Sequence, residues 1–109
     1  MKRTIRFMDI PVSVEYCPES AADNEAWSTA DLARGGFSLH FRKVCANHIA
    51  HECWHLFFRV MYWMDNVQSF DFFTLGSEVY AWNFGFLVDK VTDALESMEK
   101  EHDKKGKDR

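Results

Sequence analysis

From Ala46 to Asp65 the chain runs twenty residues without a glycine or a proline, and Ile49, Cys53, Leu56, Phe57, Val60 and Met64 return in it at steps of three and four. That spacing lays one apolar stripe along an α-helix. A helix with such a stripe must bury it against another element, so the remaining residues have to supply a surface. A second helix is predicted from residue 77 to about 100, with Val79, Trp82, Phe86, Val88, Val91 and Leu95 as its apolar positions. Gly76 and Ser77 stand at its start, and Ser77 is a suitable N-cap.

Strand signals fill the first part of the chain. Between residues 4 and 16, Ile5 and Phe7 occupy odd positions, whereas Ile10, Val12, Val14 and Tyr16 occupy even ones. The change of phase implies one bent strand or two short ones, with a bulge or turn near Met8 to Pro11. Cys17 to Gly36 is polar and rich in small residues, which predicts a loop with a short helical turn from about Thr29 to Arg34. Gly36 to Lys43 alternates Phe37, Leu39 and Phe41 with Ser38, His40 and Arg42, the two-residue period of a half-buried strand at a sheet edge. A loop is expected from Asp65 to Thr74, and the charged run from Glu99 to Arg109 is expected to fray as a tail.

These elements predict an α+β fold: a small N-terminal β-sheet packed on two long antiparallel helices, forming a single domain over residues 1–98. The apolar fraction of 47% and aromatic fraction of 16% are enough for a dense core in a chain of 109 residues. A net charge of -4 argues against nucleic acid or an anionic membrane as a partner. The first ten residues lack the apolar run of a secretory signal, and residues 53 to 64, interrupted by Arg59, fall short of the roughly 20 residues needed to cross a bilayer. A cytoplasmic protein is the expectation. Cys17, Cys45 and Cys53 match no CxxC spacing and are expected to be reduced, with Cys53 in the core.

Within the first helix, His51 and His55 are four residues apart, which stacks both imidazoles on one face. Two nitrogen ligands at that spacing can reach one ion. Glu52 between them completes the pattern HExxH, in which the carboxylate sits beside a metal-activated water and takes its proton. Zinc held by three protein ligands keeps a fourth position for that water and lowers its pKa toward about 7. Glu78 is the candidate third ligand, because it opens the second helix 23 positions after His55. Ala81, one turn later, is small enough to let the helices approach. His48, three residues before His51, is assigned to a second-shell or substrate-side role, since three ligands on one helix surround a tetrahedral ion poorly. Tyr80 and Tyr62 are candidates to stabilise an oxyanion. Trp54, Phe57, Phe58, Tyr62, Trp63, Trp82, Phe84 and Phe86 are expected to form core, and His40 to lie at the surface.

HECWH, residues 51 to 55, followed by SEVYA, residues 77 to 81, resembles the gluzincin branch of zinc metallopeptidases. More narrowly, FSLHFRK, AHECWH and SEVYAWNFGFLVDK resemble short phage and prophage HExxH proteins, over about residues 37 to 91. The resemblance implies one zinc ion on His51, His55 and Glu78, with Glu52 as general base and acid. It also implies a peptide substrate adding as a strand to residues 37 to 42. A phage-encoded chain would act in the bacterial host cytoplasm. Two positions depart from the gluzincin pattern: Ser77 stands where many members have Asn, and Trp82 where some have a histidine-supporting Asp. The reading that follows is a zinc-dependent hydrolase acting on a peptide or protein substrate. Its rivals are a non-catalytic zinc protein that binds a host protein partner and a metal-free helical packing module.

Overall fold

In the computed structural model, which describes residues 1–20, 25–31, 36–65 and 78–107, with 30–31, 62–65, 78–79 and 107 in backbone only, the phase break near Met8 is a hairpin turn. Strand β1 (Lys2–Phe7) pairs antiparallel with β2 (Ile10–Tyr16), Phe7 facing Ile10 across the turn. Met8 and Asp9 both carry positive φ angles, 51° and 65°. Two such residues make the tight turn whose twist matches that of the flanking strands. The Arg6 guanidinium donates to the Asp9 carbonyl at 3.3 Å, across the base of the turn.

The segment expected to be a loop holds a strand, β3 (Ala26–Asp31), so the helical turn predicted from Thr29 is replaced by extended backbone as far as Asp31. The rest of that predicted turn lies outside the described residues. Strand β4 (Gly36–Phe41) runs parallel to β2 and antiparallel to β3, giving the sheet order β1-β2-β4-β3. This overturns the expectation that β4 is an edge. The chain passes from β2 to the far side of the sheet as β3 and returns between them, which leaves β1 and β3 as the edges among the described residues.

Register places Phe7 and Ile10 in one row, Ile5, Val12 and Phe37 in the next, and Val14, Leu39 and Ser28 in a third, all on one face of the sheet. Two helices cover that face. Helix α1 (Ala46–Asp65) lies against β3 and β4, helix α2 (Glu78–Lys107) against β1 and β2, and the helices also touch each other. Cys45 closes the first turn of α1, its carbonyl accepting from the Ile49 amide at 2.9 Å. Val12, Val14, Leu39 and Phe41 from the sheet meet Ile49, Cys53, Leu56 and Val60 of α1 and Leu87, Val91 and Leu95 of α2 in one buried cluster. Cys53 belongs to it, as its place in the helical stripe implies. Burial pushes its thiol up to about 12, so it stays protonated at neutral pH.

Helix α2 continues to Lys107, through the segment whose charge suggests a frayed tail. Arg3 of β1 pairs with Glu101, the His102 ring meets Tyr16 edge-on at 5.8 Å, and the Lys90 ammonium donates to the Arg6 carbonyl at 2.7 Å. The sheet's other face carries Ser13, Ser38 and Thr29 in one row and Glu15, His40 and Trp27 in the next. There the Trp27 and His40 rings stack, with centroids 5.0 Å apart. His40 is therefore a half-buried residue of the sheet face opposite the two helices.

Candidate metal centre

Because the apolar stripe of α1 turns toward the sheet, residues two positions from its members are turned toward the opposite side. His51 and His55 are two of these, and both are exposed. Their Nε2 atoms approach to 3.1 Å with the rings nearly perpendicular. At that distance one imidazole can donate to the other, or both can direct lone pairs at a shared cation. Two nitrogens on a tetrahedral zinc, each at its ordinary bond length, stand about 3.3 Å apart. The pair thus fits a zinc ion with only a small adjustment of the side chains.

Glu52 completes the group. Ligand atoms of His51, Glu52 and His55 all lie within 4.8 Å of one another, the arrangement of a metal-binding cluster. Glu52 sits at the boundary between the histidine face and the buried stripe and is only 6% exposed. A carboxylate in such a place is costly unless a cation or hydrogen-bond donors attend it. A zinc ion beside it would supply that charge, so the donor set and the burial agree.

The other expected site residues fall differently. Glu78 is the first residue of α2, and its side chain lies outside the described residues, as do the side chain of Tyr62 and the N-cap candidate Ser77. His48 turns toward the start of β3, its Nδ1 lying 3.8 Å from Glu25, which also pairs with Lys43 at 2.8 Å. Tyr80 is half-buried and packs edge-on against Phe57 at 6.0 Å. Ala81 is exposed, so its size does not set the helix separation. The helices meet instead through Trp54 and Phe57 of α1 against Phe84 of α2, with centroid distances of 5.5 and 5.7 Å.

Three residues near the histidines were not singled out by motif reasoning. Arg59, one turn after His55, donates to the Ser28 hydroxyl of edge strand β3 at 3.4 Å. Trp54 and Phe58, expected in the core, are 47% and 40% exposed, and each stands three residues after a histidine of the pair. Trp82 and Phe86 of α2 are likewise exposed, while Phe57 is the one fully buried among the described side chains of this set. The signal was present in the spacing: Trp54 and Phe58 fall out of phase with Cys53, Leu56 and Val60.

No protein-family model, curated protein or solved structure matches the chain. The site therefore stands on its own chemistry. Among the described residues, no helix is long and apolar enough to cross a membrane.

Proposed function

We propose that this chain is a gluzincin-like zinc metallopeptidase, with a minimal zincin-like core in which α1 and α2 run antiparallel. The observation that carries the reading is the convergence of the His51 and His55 Nε2 atoms beside the one charged side chain, Glu52, among the buried described residues. His51 and His55 would hold the zinc, with Glu78 as the third ligand from the start of α2. Bound there, zinc supplies Lewis acidity, polarising a carbonyl and lowering the pKa of a water toward about 7. Glu52 takes the proton from the attacking water and delivers it to the leaving amine, so that one carboxylate acts as base and then acid. Tyr80 is the candidate to donate to the developing oxyanion, and His48 is kept as a substrate-side group. The strand available for a peptide to extend is β3, whose outer edge has no sheet partner among the described residues and which packs beside α1.

Metal analysis of protein purified without added zinc tests the site. Wild type should carry about one zinc per chain. His55→Ala and Glu78→Ala should lose it or bind it far more weakly. Glu52→Gln should keep the zinc and lose peptide hydrolysis by a factor of at least about a hundred. A well-folded wild type that takes up no zinc would sink the proposal.

The exposed Trp82 and Phe86 on α2 favour a second reading, a zinc-binding protein that holds a protein partner without cleaving it. In that case Glu52→Gln would leave zinc and partner binding intact and there would be no hydrolysis for it to remove, because the carboxylate would have no proton to move.

A further inference from the structure

The exposed aromatic ridge of α1 adds a property that the zinc motif does not specify. Trp54 follows His51 by three residues and Phe58 follows His55 by three, so a ridge of two rings runs alongside the ridge of two imidazoles. The rings contact each other edge-on, with centroids 5.1 Å apart. Trp54 is backed by Phe57 and Phe84, with centroids at 6.2 and 5.5 Å, which holds its ring in place beneath its exposed face. Neighbouring ridges of a helix are about 5–6 Å apart between Cβ atoms, within the reach of a large side chain. A peptide group held at the histidines therefore has an adjacent side chain over Trp54 and Phe58.

Resting on the metallopeptidase reading, we infer that Trp54 and Phe58 form an apolar subsite that selects peptides with a bulky aromatic or aliphatic side chain next to the bond cleaved. Continuity with the metal centre identifies the occupant. A small or charged side chain at that position leaves the rings in water, whereas a phenyl group covers them and gains the free energy of apolar burial. The subsite is a specificity determinant: it touches the side chain of the substrate and takes no part in moving protons.

The test uses the zinc-loaded full chain and two peptide hydroxamates that differ only in having Phe or Ala next to the hydroxamate, with binding followed by calorimetry. The Phe compound should bind the wild type about tenfold more tightly or better. In Trp54→Ala and Phe58→Ala that ratio should shrink toward one, with zinc content held at the wild-type level. Phe58→Ala guards against a folding defect, because Trp54 packs against Phe84 of α2 whereas Phe58 meets Trp54 on its own helix. Equal binding of both compounds to wild type, or a ratio that survives in both variants, overturns the inference and leaves the zinc centre standing. Failure of either compound to bind a protein that takes up no zinc overturns the metal reading itself. Dimerisation of the wild type that Phe58→Ala abolishes also overturns the inference, since a second copy would then be the occupant of the ridge.

Discussion

Glu52 lies where a folding chain gains least from a carboxylate, at the margin of a packed apolar cluster. Without a cation nearby, its burial works against the fold. Glu52→Gln should accordingly raise the thermal stability of the zinc-free protein, by about 1 kcal/mol or more, while removing hydrolysis. Melting in chelator checks this, and an unchanged or lowered melting temperature would show that the carboxylate is already satisfied by the protein. Glu25 is in the opposite position. It is exposed, and its hydrogen bond from Lys43, with the charges of Lys43, His48 and Arg42, holds its carboxyl below the ordinary 4.5. A carboxyl lowered on folding contributes stability above its unfolded value, and that contribution disappears as pH falls through the folded value. The stability difference between wild type and Glu25→Gln should therefore be present at neutral pH and vanish on acidification, and it should shrink in high salt because the pair is solvated. Urea titrations of both proteins from pH 7 to about pH 3 would show it. A difference that persists at the acid end would assign it to packing instead of charge.

At the scale of elements, the β1–β2 turn allows a direct test. Met8 and Asp9 adopt a left-handed backbone that costs a residue bearing a Cβ about 1 kcal/mol or more. Asp9→Gly should relieve part of this and stabilise the protein by about 0.5–1 kcal/mol, read as a higher urea midpoint with an unchanged slope. The existence of this turn was legible in the sequence because the apolar residues change phase across it. Both helices were legible as well, and with them the convergence of His51, Glu52 and His55, since a four-residue spacing on a helix determines which side chains meet. Strand β3 was hidden for a physical reason. Its residues on the helix side include Ala26 and Ser28, which are small, and its one large apolar side chain, Trp27, lies on the opposite face against His40. A strand with that pattern gives no amphipathic alternation in the usual sense. Missing β3 made β4 look like an edge, because only the placement of β3 reveals that both sides of β4 are paired. The exposed aromatics were hidden differently: Trp54 and Phe58 look like core by residue type, and only their phase against Cys53, Leu56 and Val60 separates them from it.

For the whole molecule, the histidine pair of the candidate metal site and the core are distinct structures that share one helix. The core draws on both helices and on strands β1, β2 and β4, and among the described residues it involves neither His51 nor His55. Contacts from Arg3 to Glu101 and from Tyr16 to His102 fasten the distal end of α2 to the sheet without involving the site. Zinc should therefore add stability to a fold that already exists, unlike the ion of a small zinc finger, whose chain is unfolded without it. The size of the effect follows from mass action: free zinc at a hundred times its dissociation constant adds about 2.7 kcal/mol. For a domain of this length that corresponds to roughly 10–20 °C in melting temperature. Chelation should produce a fall of that order while the far-ultraviolet circular dichroism at room temperature remains that of the folded protein. Loss of that spectrum in chelator would make the zinc a structural ion, with the helices depending on it for their position. An unshifted melting temperature in saturating zinc would remove the metal centre altogether, because an ion that binds the folded state must stabilise it.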